Sequence, residues 1–316
     1  MGLKFPPVKE ETKNSIRAHE LLHLIGQDVA VKNEPNRRLG ALDARGLLEA
    51  RGFEFPQKNF IFHCLKGGAA KTTLAYNTAY RFSQLGARVL LVDLDKQANA
   101  TQTFGVTPPH GQVFVDLITG EADIKKLVVP VSPTFSVLPS SLENARLEME
   151  LVHRTKNPVT YYRTLFEPVR EEFDILVFDL PPDLSHNTFL ATLYADTVCV
   201  PVSPDEYGVH GMKLTLGSLR GIYKDFPELK QEVWVVWSKY DSREKLATRY
   251  ITDEYDLAPA ELVPIVVRTD VSFRHAQSLG KSVFQLGKRS NAAEDIDLLV
   301  RELLGIREFF EEEGRA

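Results

Sequence analysis

The chain has 316 residues, of which 43% are hydrophobic and 26% are charged, and its formal net charge is −5. This composition is typical of a globular protein whose core needs no disulfide or structural metal, and it excludes collagen-like and intrinsically disordered chains. No apolar run approaches the roughly 18 residues that indicate a membrane-spanning helix, and a net acidic chain needs a local basic patch to contact nucleic acid.

The cysteines and the N-terminus indicate the compartment. Cys64 and Cys199 each lie in an apolar run, which predicts two buried thiols on strands. The first residues contain no apolar stretch of signal-peptide length. Together these features predict a cytoplasmic protein in a reducing environment.

Residues 1–57 are predicted to form a small helical N-terminal extension. Helical candidates cover residues 15–25 and 42–50, with a polar stretch between them. Two short helices around a polar turn are compatible with part of a helix-turn-helix unit and equally with a dimerisation arm. Basic and acidic residues nearly balance here, so charge does not separate the two interpretations.

The first of these helices contains a pattern seen in zinc proteases. It reads His19-Glu20-Leu21-Leu22-His23, which places two imidazoles on one helix face. So short a pattern often arises by chance, and no protease-like domain surrounds it. We predict an ordinary helix face here, with no zinc.

Residues 58–316 alternate between strands and helices. Most strand candidates are unbroken apolar runs, which are typical of strands covered on both faces. Alternation with crossovers of this length predicts a doubly wound, mainly parallel α/β sheet. The predicted strands are residues 60–65, 88–92, 135–138, 175–178, 197–202 and 233–237. The predicted helices are residues 71–85, 142–152, 159–172, 188–195, 209–223 and 295–304.

The strongest motif follows the first of these strands and opens a helix. It reads Lys66-Gly67-Gly68-Ala69-Ala70-Lys71-Thr72-Thr73. Glycines let backbone N–H groups form an anion nest, and the helix N-terminus adds its positive dipole end, so residues 67–73 are predicted to bind a nucleotide. Lys71 is expected to reach the β- and γ-phosphates, and the Thr72 hydroxyl to coordinate Mg²⁺.

One position of this loop departs from the general P-loop pattern. Ala70 stands where glycine normally precedes the lysine. If the backbone there is left-handed, the Cβ costs about 1–2 kcal/mol. Binding, hydrolysis or closure of the loop could each be weakened.

Aspartates follow two further strands. Asp93 and Asp95 follow strand 88–92, and Asp179 follows strand 175–178. The carboxyl edge of a parallel sheet is where ligands bind. We expect Asp179 to hold Mg²⁺ through a water molecule, and Asp93 to have a structural role or to act on the site only through other residues.

The order and spacing of these motifs resemble those of the ParA/MinD family of P-loop ATPases over residues 59–304. The phosphate loop resembles the family's deviant Walker A motif, which implies that Lys66 is the signature lysine reaching a partner subunit's nucleotide. Asp95 matches the residue that positions the attacking water, although Lys96 stands where proline is usual. The resemblance therefore implies that Lys66, Lys71 and Asp95 are the catalytic residues.

The resemblance extends to the base side of the nucleotide. Pro204 belongs to a Pro-x-x-Pro segment after a strand, and Ser238 and Lys239 match the adenine-side strand end. Ser238 departs from the asparagine that relatives often have. Residues 138–141, Leu-Pro-Ser-Ser, also match a recurrent stretch of the family.

The resemblance implies ATP or ADP with Mg²⁺ as ligands, an ATP-bound homodimer and slow hydrolysis stimulated by a ParB-like partner. It further implies non-specific DNA binding in a nucleoid-associated protein that acts in DNA or plasmid partition. The candidate DNA contacts are Arg268, Arg274, Lys281, Lys288 and Arg289. The alternatives are positioning of a protein cargo, such as a chemosensory cluster, and a nucleotide-binding regulator with little turnover because of Ala70.

Membrane attachment is not expected. MinD-like proteins end in a basic amphipathic helix, whereas this chain carries three consecutive glutamates at residues 311–313. Anionic lipid would repel them.

Overall fold

The computed structural model describes residues 14–18, 20–21, 38–255, 262–306 and 309. Two sheets are present in this part of the chain. The strands are β1 (Ser15–Arg17), β2 (Arg38–Gly40), β3 (Lys58–Phe62), β4 (Val89–Asp93), β5 (Val129–Ser132), β6 (Phe135–Leu138), β7 (Ile175–Asp179), β8 (Thr197–Val202), β9 (Glu232–Tyr240) and β10 (Leu262–Arg268).

Helices connect these strands and cover the larger sheet. The α-helices are Ala41–Glu49, Lys71–Gln84, Asn99–Thr103, Phe114–Thr119, Ile124–Leu127, Leu147–Arg154, Pro158–Arg170, His186–Tyr194, Glu206–Asp225, Lys245–Tyr255, Val271–Ser278 and Asn291–Leu303. Short 3₁₀ turns occupy Pro109–Gly111, Leu142–Arg146 and Val283–Leu286. None of the described helices has the length and apolarity needed to cross a bilayer.

The larger sheet has the strand order β10-β9-β8-β3-β7-β4-β6-β5. Its strands pair in parallel except for the antiparallel edge pair β5–β6. Buried apolar residues lie on both faces of this sheet, which explains why the strands read as unbroken apolar runs. The prediction of a doubly wound, mainly parallel sheet is confirmed.

Strands β3, β4 and β7 end level with one another, and β8 continues three residues further to Val202. Phe62 of β3 pairs with Asp179 of β7, and Asp93 of β4 pairs with the same Asp179. Phe62 also pairs with Cys199 of β8. The loops after these strands therefore meet at one edge, which is where the candidate site lies.

The prediction of a helix over residues 15–25 is wrong at its start. Ser15–Arg17 forms a strand that pairs antiparallel with Arg38–Gly40. Long-range pairing overrides the weak local helical pattern here, and Ile16 is 1% exposed in the core that also contains the helix Lys71–Gln84. Residues 22–25 lie outside the described residues, as do His19 and His23 of the zinc-like pattern. The second helix of the extension is present as Ala41–Glu49.

Two sheet-edge strands were not predicted. β5 contains Pro130, and β10 contains Pro264. A proline argues against a central strand but is tolerated at an edge, and both strands lie at edges of the sheet. The extent of such edges depends on tertiary pairing, which local patterns do not show.

Candidate nucleotide-binding site

The phosphate loop joins β3 to the helix Lys71–Gln84. Ala70 has φ 64° and ψ 20°, which is the left-handed region, and it directly precedes the first residue of the helix. Its Cβ therefore carries a strain of about 1–2 kcal/mol. The sequence predicts strain if the backbone at position 70 is left-handed, and the structure has that conformation. Glycine would adopt it without strain.

Strand β9 contacts this loop through Ser238. The Ser238 hydroxyl is fully buried and donates a hydrogen bond to the Ala69 carbonyl oxygen at 3.1 Å. The next residue, Lys239, is exposed and has φ 56°, a second left-handed residue that is not glycine. Both predicted base-side residues therefore lie at the carboxyl edge beside the loop.

Lys71 lies inside the loop rather than on its surface. It is 7% exposed, and its Nζ donates to the Lys66 carbonyl oxygen at 3.1 Å. Burial lowers the pKa of Lys71, while Cys64, Asp179 and Asp95 oppose that shift. A buried ammonium group held among carboxylates suits a ligand that carries several negative charges.

Asp179 is a buried carboxylate with no partner of its own. It is 0% exposed, and neither of its oxygens makes a hydrogen bond of good geometry to a described residue. Burial raises the pKa of Asp179 well above its usual value, Asp93 adds to the increase, and the nearby Thr72 hydroxyl opposes it. An orphaned carboxylate normally costs several kcal/mol, so a group that satisfies it is expected here.

Both oxygens of the buried Asp93 carboxylate accept hydrogen bonds within the chain. One oxygen accepts hydrogen bonds from the Thr101 backbone N–H at 2.9 Å and hydroxyl at 2.7 Å, and the other accepts from the Asp95 N–H at 3.2 Å. Burial raises its pKa to about 6 against these hydrogen bonds. Asp93 thus fixes the turn that presents Asp95.

Sequence reasoning missed the residue that holds this turn from the other side. Ser140 donates its hydroxyl to the Asp95 carbonyl oxygen at 2.7 Å, and its N–H bonds the Thr101 hydroxyl at 2.9 Å. In the sequence, the Leu-Pro-Ser-Ser stretch is recognisable only as a resemblance to the family. Its position after β6, next to β4, is the signal that could have linked it to Asp95.

Lys66 is held by the segment after β8. Its Nζ lies 2.7 Å from the Asp205 carboxylate and 3.0 Å from the Ser203 hydroxyl, on either side of Pro204. Burial acts to raise the pKa of Asp205, but hydrogen bonds from Lys66, Ser203 and the Gly208 N–H together lower it. In this conformation the ammonium group is occupied within its own subunit.

Two glycines of the helix Glu206–Asp225 make this contact possible. A Cβ at Gly208 would lie 2.0 Å from the Ser203 carbonyl oxygen, and one at Gly211 would lie 3.0 Å from the Lys66 Cβ. The helix therefore starts in direct contact with the phosphate loop. Gly208 and Gly211 are three residues apart and therefore lie on one helix face. This glycine spacing is a sequence signal that could have predicted the close contact.

His63, the residue directly after β3, was also missed. It is 2% exposed, and its Nδ1 has no hydrogen-bond partner among the described residues. Burial and then the charge of Lys71 lower the pKa of His63 to about 4. A neutral imidazole therefore lies beside the loop lysine at neutral pH.

The candidate DNA contacts are dispersed over the C-terminal part of the chain. Arg268 is paired with Asp295 at 2.6 Å, and Arg289 with Glu294 at 2.5 Å. Arg274, Lys281 and Lys288 are exposed, and no ion pair to another described residue occupies them. The structure thus leaves three of the five predicted cations available to a ligand.

No protein-only metal centre exists in the described part of the chain, where no three His, Cys, Asp or Glu side chains are grouped to hold an ion. The Thr72 hydroxyl and the unpartnered Asp179 carboxylate still fit a hydrated Mg²⁺ that takes its remaining ligands from phosphate oxygens and water. Such an ion would neutralise phosphate charge.

Comparison with known proteins gives several matches. A profile of the AAA_31 family, described as an AAA domain, matches residues 58–232. The chromosome-partitioning ATPase Soj of Thermus thermophilus is 31% identical over 240 residues, which are 76% of this chain and 92% of that protein. The cell division protein PomZ of Myxococcus xanthus is 28% identical over 246 residues, 77% of each chain.

Solved structures with the same fold include nucleotide complexes. An ATP complex of a McdA variant from Cyanothece has a TM-score of 0.71 and 21% identity, covering 80% of this chain and 98% of that one. The septum site-determining protein MinD of Pyrococcus horikoshii, complexed with Mg-ADP, has a TM-score of 0.63 and 17% identity, covering 78% and 95%. At these identities the likeness shows the fold.

Proposed function

Because this chain belongs to the ParA/MinD family of P-loop ATPases, we propose that it is a switch that binds Mg²⁺-ATP, pairs with a second copy and hydrolyses ATP slowly. The observation that carries the proposal is the buried, unpartnered Asp179 carboxylate beside Lys71 and Thr72. A carboxylate in that position has no stabilising role within the described protein. It becomes useful when a hydrated cation and phosphates are bound.

The residues of this edge then have distinct tasks. Backbone N–H groups of residues 67–73 cradle the phosphates, and the Lys71 ammonium contacts the terminal ones. Thr72 and, through water, Asp179 hold Mg²⁺, which neutralises phosphate charge. Asp95, fixed by Asp93 and Ser140, orients the attacking water.

Pairing of two copies is proposed from Lys66. In this role its ammonium leaves Asp205 and Ser203 and contacts the nucleotide of the other subunit. Phosphates offer more negative charge than one partly exposed carboxylate, so ATP favours the exchange. This step corresponds to the signature lysine of a deviant Walker A motif.

For cargo, we propose non-specific DNA and a role in DNA or plasmid partition with a ParB-like stimulating partner, in a cytoplasmic, nucleoid-associated protein. Arg274, Lys281 and Lys288 are the exposed candidates, while Arg268 and Arg289 would have to leave Asp295 and Glu294. A membrane is not proposed. The acidic tail on which that expectation rests, residues 311–313, lies outside the described residues.

Two other functions have separate observations in their favour. PomZ is a cell division protein, which shows that such relatives are not limited to chromosome partition, and positioning of a protein cargo is the second candidate. The left-handed Ala70 supports the third, a regulator with little turnover. A chemoreceptor-type partner would favour the second. Phosphate release that Lys71→Ala leaves unchanged would rule out turnover at this site.

Sedimentation velocity tests the switch. We expect the wild-type protein to be monomeric without nucleotide or with ADP and dimeric with Mg²⁺-ATP. Lys71→Ala should abolish nucleotide binding, whereas Lys66→Ala should bind ATP without pairing. Dimerisation of Lys66→Ala equal to that of wild type would contradict the role of Lys66.

DNA binding is tested in the same instrument with plasmid at two salt concentrations. Only the ATP-bound protein should co-sediment, and each phosphate contact should contribute about one unit to the salt slope. Replacing Arg274, Lys281 and Lys288 together should remove the binding. Co-sedimentation that is independent of ATP, or unaffected by this triple change, would contradict the DNA proposal.

A further inference from the structure

The function of Ser238 differs from that implied by its position at the base side of the nucleotide. We propose that Ser238 is a positioning residue for the phosphate loop, fixing the peptide between Ala69 and Ala70 so that the Ala70 N–H is directed at the phosphates, and that it does not read the base. This inference rests on the proposed function, because it concerns how the same site binds a triphosphate.

The contact itself is short and enclosed. The Ser238 hydroxyl donates to the Ala69 carbonyl oxygen at 3.1 Å, and both residues are 0% exposed. A serine has one O–H donor, and here it is used on the loop. A base that lies in the open cleft cannot reach a hydroxyl with no exposed surface.

Peptide geometry connects this contact to the phosphates. The peptide unit is planar, and none of the described peptide bonds is cis. In a trans unit the Ala69 carbonyl and the Ala70 N–H point in opposite directions. Because Ser238 holds the carbonyl on the β9 side, the N–H is turned to the other side, at the N-terminal end of the helix Lys71–Gln84, where a helix binds anions.

The strain at Ala70 makes this contact necessary. With φ 64° the residue is in a conformation that an alanine leaves readily if nothing holds it. Rotation of the Ala69–Ala70 peptide would relax the strain and turn the N–H away. Glycine at position 70 carries no such strain, so the loop should depend less on Ser238 in that background.

Two ligands separate positioning from base reading. Isothermal titration calorimetry with Mg²⁺-ATP and Mg²⁺-tripolyphosphate, which has no base, is carried out on the wild-type protein and Ser238→Ala, and Mg²⁺-GTP is titrated to measure base preference. We expect Ser238→Ala to weaken both ligands by about tenfold, the effect of losing one buried hydrogen bond. The ratio of ATP to GTP affinity should stay at its wild-type value.

Control variants address folding and coupling. Thr197→Val removes an equally buried hydroxyl at the other end of the neighbouring strand β8 and should leave both affinities unchanged. Ser238→Cys keeps the size with a weaker donor and should be intermediate. In the Ala70→Gly protein, Ser238→Ala should cost about threefold instead of tenfold, a non-additivity that a role remote from the loop would not produce.

Each contrary result has a definite meaning. A loss of ATP affinity with tripolyphosphate unchanged would show that Ser238 serves the nucleoside and would overturn the proposal, as would no change in either ligand. Wild-type protein that binds neither ligand would contradict the proposed function itself and the inference with it.

Discussion

The helix Lys71–Gln84 has a buried cationic side chain near each end, and only the one near its C-terminal end is ion-paired among the described residues. At its C-terminal end, the Arg81 side chain is 3% exposed, pairs with Asp297 at 2.5 Å and Glu20 at 3.2 Å, and lies over the ring of Phe284. At its N-terminal end, among the described residues, Lys71 has a backbone hydrogen bond and no ion pair, and neither Asp179 oxygen makes a hydrogen bond of good geometry. Paired charges indicate a structural junction, and unpaired ones a site that awaits a ligand.

The paired end is where the N-terminal extension meets the ATPase body. Asp174 accepts from Arg45 of the extension at 2.5 Å and from Arg88 at 2.7 Å. Asn14 contacts three hydroxyl groups, those of Ser83, Ser132 and Thr134. The described part of the extension therefore packs directly against the structure that contains the larger sheet.

The largest expected effect breaks the paired end. Arg81→Ala removes the common partner of Glu20 and Asp297, which keep Arg17 and Arg301, and should lower the free energy of unfolding by about 2–3 kcal/mol. Lys71→Ala should change it far less, because Lys71 is not part of a saturated pair. Urea denaturation of the two variants measures the difference. Equal destabilisation would contradict the contrast between the two ends.

A pH titration examines the unpaired end. The pKa of His63 is lowered to about 4, below the usual value of 6.5, so between these values the unfolded chain binds a proton that the folded chain does not. Stability contributed by neutral His63 is therefore lost as the pH falls through this window, by about 2 kcal/mol between pH 7.5 and 5. His63→Phe should be less sensitive to acid by that amount.

The control for this titration is an exposed histidine. His275→Gln should leave the pH dependence of unfolding unchanged. Other buried groups, such as Asp93, contribute equally to wild type and to both variants, so the difference isolates His63. Identical pH profiles for wild type and His63→Phe would show that the imidazole is not held neutral.

The contrast also explains what could be predicted from sequence. The central strands and the loop of residues 66–73 could be predicted because their signals lie within short stretches of sequence: an apolar run, then glycines, then a helix. The roles of Ser140 and Ser238 were not, since each depends on which strand lies next to which. The same holds for Ser15–Arg17, whose strand exists only because Arg38–Gly40 pairs with it.

A smaller effect comes from the backbone strain at the unpaired end. Ala70→Gly removes a strain of about 1–2 kcal/mol but increases the entropy of the unfolded chain, so stability should rise by only about 0.5–1 kcal/mol. Ala98→Gly is the matched control, because Ala98 is also left-handed, with φ 53°. Both should stabilise, and only Ala70→Gly should raise ATP affinity and turnover. Equal ATP affinity in wild type and Ala70→Gly would show that the strain at Ala70 does not affect nucleotide binding.

The last effect, small for each pair, concerns an ion pair at the nucleotide edge, between Lys66 and Asp205. Asp205→Asn keeps an acceptor for the Gly208 N–H, so the helix Glu206–Asp225 stays capped while the charge that holds Lys66 is lost. A partly exposed pair contributes about 0.5–1 kcal/mol, and two pairs open for each dimer, so ATP-dependent pairing should tighten by about tenfold. Asp270→Asn, which changes the cap of Val271–Ser278 in the same way, is the control and should leave pairing unchanged. If Asp205→Asn instead weakens the ATP-bound dimer in sedimentation, Asp205 stabilises the dimer. The Lys66–Asp205 contact would then position Lys66 for the partner's nucleotide and would not compete with it.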